Sequence, residues 1–341
     1  MANQVNDTWT VSEDDFPARG TPAEKLRFLV NYAVLAPSGH NTQPWLLRVA
    51  GDSLEVIADR TRALPVVDPE DRELTISCGA ALETLEIAMR HFGHEPEVDT
   101  FPRVDDSDVL ARVRLGEPCE SDEEVDRLFR AITQRRTVRK RFDDRPVPDS
   151  VIEEFERLAG AYGIGLKIVA DEAQRREVAT LVSEGDRIQF ADRRFRRELA
   201  AWIHSRRAAS RDGISGAGFG MPDLLSPLGA LVVRTFDIGG QVAAQDEQIA
   251  MGSPLLAIFH TESDDPRSWL DTGRALTSVL LASTAEGVRA SYLNQPIEVA
   301  ELRLRLAGVA EVRGTPQLLM RFGYGPTVEP AVRRPVDEVM I

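Results

Sequence analysis

Five positions of one stretch recur much farther along the chain. Gly79, Ala81, Leu82, Ala88 and Gly93 return as Gly273, Ala275, Leu276, Ala282 and Gly287, each 194 positions later. Each stretch is followed, after an intervening segment, by a run that ends in a basic residue, an apolar residue and glycine: Arg114-Leu115-Gly116 and Arg321-Phe322-Gly323. A repeat of this size predicts two related α+β units fused in one chain, and a ligand at their interface takes contacts from both. The 341 residues are enough for one large domain or two ordinary ones.

Residues 1–20 read as a polar N-terminal arm, and residues 21–120 as the first half. Thr21-Pro22-Ala23-Glu24 carries an N-cap threonine, proline at the first helical position and glutamate at the third, and so predicts a helix running to about Ala36. Its apolar residues surround nearly the whole cylinder, which predicts burial on most faces. Pro37 stops it. Strands are expected at Trp45–Val49, Ser53–Ala58 and Asp108–Leu115, a long helix from Arg72 to His91, and a linker at Gly116–Glu120.

The second half, 121–341, opens on an expected capping box at Ser121 and Glu124. The helix behind it has one apolar face made by Val125, Leu128, Phe129 and Ile132. A second capping box is expected at Ser150 and Glu153, then a strand over Gly163–Ala170. Residues 171–207 read as helical, with Ile188, Ala191, Phe195, Leu199 and Trp202 on one stripe. The Gly/Pro-rich run from Gly213 to Ser226 lacks the Lys-Ser/Thr pair of a P-loop, and residues 205–228 are expected to form a lid.

Two segments carry the chemistry. Arg135, Arg136, Arg139, Lys140, Arg141 and Arg145 crowd cations into a chain whose net charge is −14. That overall charge disfavours nucleic acid and anionic membranes, so the cluster needs a local explanation. It follows a helix C-terminus, where the dipole repels anions, so a phosphate there must be held by guanidinium forks and the Thr137 hydroxyl. A solvated corner capping helix carbonyls is the bland alternative. The second segment, Pro37-Ser38-Gly39-His40-Asn41-Thr42-Gln43-Pro44-Trp45, reads as a rigid polar turn.

The run Arg135-Arg136-Thr137-Val138-Arg139-Lys140-Arg141-Phe142 resembles the arginine signature of the nitroreductase-like flavoproteins, and Pro37–Trp45 resembles their second signature. The reversed order of the two resembles the Acg-type, FMN-binding branch, as do Leu64–Pro69 and Ser77–Leu82. The resemblance implies an α+β, three-layer α/β/α fold whose two halves imitate a nitroreductase homodimer. One copy of each signature implies one FMN per chain in a monomeric pseudo-dimer. By the same resemblance Arg135, Arg136, Thr137 and Arg139 hold the FMN phosphate, ribityl chain and pyrimidine edge, while Pro37, Ser38, Gly39 and Asn41 approach the isoalloxazine from the other half. Tyr292, Leu293 and Asn294 resemble the segment beside the flavin ring, and Arg333 and Arg334 resemble basic residues that return to the phosphate. Gly39 is expected to permit close backbone approach.

The implied activity is transfer of electrons from NAD(P)H to a small-molecule acceptor such as a nitroaromatic or a quinone. The alternative is a flavin-sequestering protein whose lid covers FMN and which turns over little. No side-chain nucleophile is required. The five histidines show no metal spacing, and His91 and His94 read as a partly exposed helical pair. Cys78 and Cys119 are too few for a disulfide framework, and the start lacks a basic segment followed by an apolar core. A cytoplasmic protein with no membrane partner is expected.

Overall fold

The computed structural model describes residues 7–205, 208–215 and 225–341. The first half contains α1 (Pro22–Ala33), β1 (Trp45–Ala50), β2 (Ser53–Ala58), α2 (Arg72–His91), β3 (His94–Thr100) and β4 (Val109–Pro118). The second contains α3 (Glu123–Ile132), α4 (Asp149–Gly160), β5 (Gly165–Ile168), α5 (Glu172–Ala191), α6 (Arg193–Ala201), α7 (Ser226–Thr235) and α8 (Gly239–Met251). It continues with β6 (Leu255–Thr261), α9 (Pro266–Ala285), β7 (Arg289–Tyr292), α10 (Gln295–Glu298), α11 (Ala300–Val309), β8 (Thr315–Gly323) and α12 (Val336–Val339). The strands form two four-stranded antiparallel sheets in the same order, β1-β2-β4-β3 and β5-β6-β8-β7. No helix among the described residues is long and apolar enough to cross a membrane.

The repeated stretches are α2 and α9, which cross at their first repeat glycines. A methyl on Gly79 would overlap Leu270 O and stand 3.2 Å from Gly273 Cα, and a methyl on Gly273 would overlap Ile76 O. Positions 76 and 79 map onto 270 and 273 under the same 194-residue offset, so the contact is reciprocal, as at a two-fold axis. Glycine is required there because two backbones share the space. Around the crossing, Arg274 holds Glu86 through Nε and Nη2 at 3.0 Å each, and Ser278 Oγ donates to Glu83 at 2.9 Å.

One apolar core runs from the first sheet (Leu47, Leu54, Val113) across α2 and α9 to the second sheet (Ala257, Phe259, Met320). The second sheet is covered on its far side as well, where Leu256, Ile258 and Leu319 meet Val178 and Val182 of α5 and Leu302 and Leu306 of α11. It is the middle of three layers.

The first sheet instead carries a polar cluster centred on Glu55. Arg48 donates to it at 2.6 and 2.9 Å, and Arg103 and Arg112 each donate at 2.9 Å. Burial opposes ionisation of Glu55, but the three guanidiniums outweigh it and bring the carboxyl down to about 2. A depressed carboxyl adds stability that is complete above about pH 4.5 and is lost as pH falls toward 2. Because the arginines are partly exposed, we expect about 1–2 kcal/mol from this source. Urea unfolding should show Glu55→Gln less stable by that amount at neutral pH, with the gap closing in acid.

Several local expectations change. Asp122, not Ser121, caps α3 by accepting from Val125 N at 2.8 Å, and Ser121 Oγ turns to Asp126 at 2.6 Å. Asp149 is already helical in α4 and Pro148 stands at its cap, so the Ser150–Glu153 box does not form. Asp192 caps α6 and splits the expected single helix, leaving Ile188 43% exposed and off the buried stripe. The Gly116–Glu120 linker is strand as far as Pro118 because β3, which pattern reading passed over, pairs with it. His91 closes α2 and contacts Asp126 at 2.7 Å, whereas His94 opens β3, so they form no helical pair. Of the expected lid over 205–228, residues 206–207 and 216–224 lie outside the described residues.

Candidate functional site

The arginine segment leaves α3 and lies along the free edge of β7. Val138 N donates to Ala290 O at 3.0 Å, and Thr137 bridges Ala290 in parallel. Two buried residues fix its path. Arg321 of β8 donates to Val138 O at 2.8 Å and Lys140 O at 3.0 Å. Its guanidinium lies 4.2 Å from the Phe142 ring centroid. Phe142 occupies space that side chains at Gly323 and Gly325 would take, since a methyl at either would come within about 3 Å of the ring.

Arg135 is 5% exposed and Arg333 3% exposed. They reach the same carbonyl, Leu35 O, at 3.4 and 3.3 Å. Neither makes an ion pair with a carboxylate among the described residues. Among the described residues Arg135 otherwise finds only the Thr137 hydroxyl, at 3.5 Å, and Arg333 Nε donates to none of them. Burial lowers both pKa values, and in Arg333 the neighbouring Arg135 and Arg136 lower it further. Buried cations left without an acid are costly unless an anion joins them. Guanidinium forks, the Thr137 hydroxyl and an orphaned Nε suit a phosphate, so the residues fit that group.

The turn between α1 and β1 meets this cluster from the first half. Asn41 Oδ1 accepts from Arg333 at 2.7 Å, and Asn41 Nδ2 donates to Gly213 O and Val332 O, each at 3.1 Å. Pro37 is buried, and Ser38 Oγ accepts from Gln43 N at 2.9 Å. The left-handed positions are His40, Asn41 and Gln43, with φ of 48°, 56° and 51°, and not Gly39. Non-glycine residues hold such φ values only where surrounding bonds over-determine them. The fully buried Gln43 supplies those bonds, accepting from Arg334 N at 2.8 Å and donating to Arg211 O at 3.1 Å. A side chain at Gly39 would meet no protein atom closer than Glu73 Oε2 at 3.5 Å, so no protein contact demands glycine there.

Tyr292, at the end of β7, stands within the charge field of Arg135, Arg139, Arg333 and Glu73. Burial raises its hydroxyl to about 12 against the pull of the arginines. Asn294 donates to Glu73 Oε1 at 3.2 Å and accepts from Leu319 N at 3.0 Å. Burial, with the charge of the solvent-exposed Arg139 added, lowers His40 to about 4, so that imidazole is neutral at pH 7.

The structure thus gathers Arg135, Thr137, Arg139, Arg333, Tyr292, Asn294 and the Pro37–Asn41 turn. It turns three others away. Arg136 lies 4.3 Å from the Trp9 ring centroid and donates to Thr133 O and Arg135 O. The Leu293 side chain belongs to the core under α5 and α11. Arg334 donates to Gln43 O and Glu338 O and so locks the turn.

Pattern reading missed Trp9, Glu73, Gln43 and Arg321. Trp9 packs between Arg136 and Arg333, bringing the N-terminal arm onto the site. Arg321 did have a signal, since it is the basic residue of the repeated strand ending.

Residues 132–324 match the model of the nitroreductase family. Of curated relatives, "Putative NAD(P)H nitroreductase Rv3131" of Mycobacterium tuberculosis is 32% identical over 93% of this chain and 91% of its own. "Putative NAD(P)H nitroreductase acg" of the same organism is 29% identical over 92% of this chain and 94% of its own. Among solved structures, the FMN-dependent nitroreductase NfnB of Mycobacterium smegmatis, in complex with NADPH, aligns with a TM-score of 0.40 and 19% identity. That alignment covers 63% of this chain and 92% of that one. With a family model spanning more than half of the sequence and a relative 32% identical along nearly all of it, the chain belongs to the nitroreductase family.

Proposed function

We propose that this protein is a cytoplasmic, monomeric FMN-binding oxidoreductase that passes electrons from NAD(P)H to a small nitroaromatic or quinone acceptor. The observation that carries the reading is the pair Arg135 and Arg333, buried side by side on Leu35 O with no carboxylate among the described residues to neutralise them. Both mycobacterial relatives carry NAD(P)H nitroreductase in their names, which supports the donor. Bound here, FMN would supply two-electron chemistry between donor and acceptor.

The chain's own residues would orient and polarise the cofactor. Arg135, Arg333 and Thr137 would hold the phosphate, with Asn41 fixing the direction of Arg333. Arg139, a cation open to the site, would favour negative charge on the pyrimidine edge and so tune the potential. The Ser38–Asn41 turn and Asn294 would border the ring from opposite halves. Each signature occurs once, which supports a single FMN per chain.

The test is direct. The FMN-loaded protein, mixed anaerobically with NADH and with NADPH, should lose its yellow absorbance with at least one of them and recover it on adding a quinone. Failure to bleach with either donor would overturn the reading.

A further inference from the structure

The residues that border the proposed ring site converge on an acid that no signature contains. Glu73, in the first turn of α2, is 8% exposed. Its Oε1 is occupied, accepting from Arg72 Nη2 at 2.9 Å and Asn294 Nδ2 at 3.2 Å. Its Oε2 accepts from no described residue and lies against Gly39. Glu73 also lines a cavity of about 10 Å³, with Gly39, Thr42, Arg62, Asp68 and Ser77 among the other walls. That is room for one water, and the walls offer it polar partners.

The charges around Glu73 do not balance. Arg72 is the cation bonded to it, and Arg62 faces the cavity. Asp68 from the preceding loop adds its negative charge, Glu298 at the end of α10 is itself raised well above the usual carboxylate range by burial, and Tyr292 of β7 adds a neutral hydroxyl. Asp68 and Glu73 face the same Arg72 guanidinium in a buried setting, which opposes charging both and favours the protonated form of Glu73. Burial accordingly raises Glu73, and Asp68 raises it further against the pull of Arg72.

We propose that Glu73 Oε2 donates the proton which the acceptor takes up at this site. The inference rests on the FMN oxidoreductase reading above and narrows the acceptors to those whose reduction forms an O–H or N–H bond. For a quinone, the reduced nicotinamide supplies two electrons and one hydrogen. The second hydrogen comes from Glu73: its O–H bond breaks, a quinone O–H bond forms, and the carboxylate regains a proton from water through the cavity. The sum is quinone, NAD(P)H and one proton giving hydroquinone and NAD(P)⁺.

The experiment uses the full chain loaded with FMN. Ferricyanide accepts an electron without a proton, so the ratio of quinone to ferricyanide reduction isolates proton donation. In Glu73→Gln, which retains acceptance from Arg72 and Asn294, that ratio should fall on the order of 10²-fold. An unchanged ratio overturns the proposal. The native protein gives a second readout that needs no folded variant. As pH is raised and the Glu73 carboxyl loses its proton, its ratio of quinone to ferricyanide reduction should fall. A native ratio that does not change with pH also overturns the proposal. A native chain that binds FMN but fails these tests leaves the oxidoreductase reading intact, whereas one that binds no FMN overturns both.

Discussion

Replacing Arg135 by Met is expected to leave the FMN-free protein as stable as before, or slightly more so, while FMN binding weakens severely. In the free protein Arg135 makes polar contacts of only 3.4 and 3.5 Å, at the outer limit of useful hydrogen bonds. It is buried next to two like charges, Arg136 and Arg333. Methionine of similar length relieves that repulsion. Against a bound phosphate the balance reverses, and losing a buried charge partner costs about 2–5 kcal/mol, or roughly 30- to several-thousandfold in Kd. Arg333→Met should weaken FMN binding as much but also destabilise the free protein by about 1–3 kcal/mol, because Asn41 Oδ1 loses its 2.7 Å donor. Thermal melts with and without FMN separate the two effects. Equal losses of stability in both FMN-free variants would contradict the different roles assigned to these arginines.

The second large effect is expected at the helix crossing. Gly273→Ala places a methyl inside the Ile76 carbonyl, and backbone cannot rotate aside as a side chain can. The helices must separate, so the loss should exceed the usual overpacking range of about 1–3 kcal/mol. Gly79→Ala should behave alike. The double variant should lose less than the sum of the two, since one separation relieves both overlaps. Urea midpoints would measure this. The damage should reach the site, because α2 carries Ser77, which contacts Gly39 N, and α9 leads into β7, against which the arginine segment lies. Independent, additive losses would argue against a shared crossing.

Much of this architecture was readable from residue order alone. The capping box at Thr21 forms as expected, with Thr21 N donating to Glu24 Oε2 at 2.8 Å. The helix expected from Arg72 to His91 has those bounds. The repeat glycines marked the crossing because close backbone approach leaves a strict requirement that survives in sequence.

Local competition was harder to read. Ser121 and Asp122 are adjacent possible caps, and the side chain that reached N3 decided between them. Asp192 broke a helix that periodicity alone would have continued. Long-range electrostatics was hardest. Trp9 stands in a polar arm with no periodic neighbours, and its partners Arg136 and Arg333 are distant in sequence. Glu73 looked like an ordinary acid in a helical first turn, and only the fold brings Asn294 and Gly39 to it.

On this proposal one site, taking residues from both halves, is built around a phosphate. The most direct measurement is an equilibrium titration of the FMN-free protein with FMN and with riboflavin, which lacks the phosphate. Saturation is expected at one FMN per chain, with riboflavin affinity lower by about 2 kcal/mol or more, roughly 30-fold. Equal affinity for the two flavins, or two FMN per chain, would contradict it.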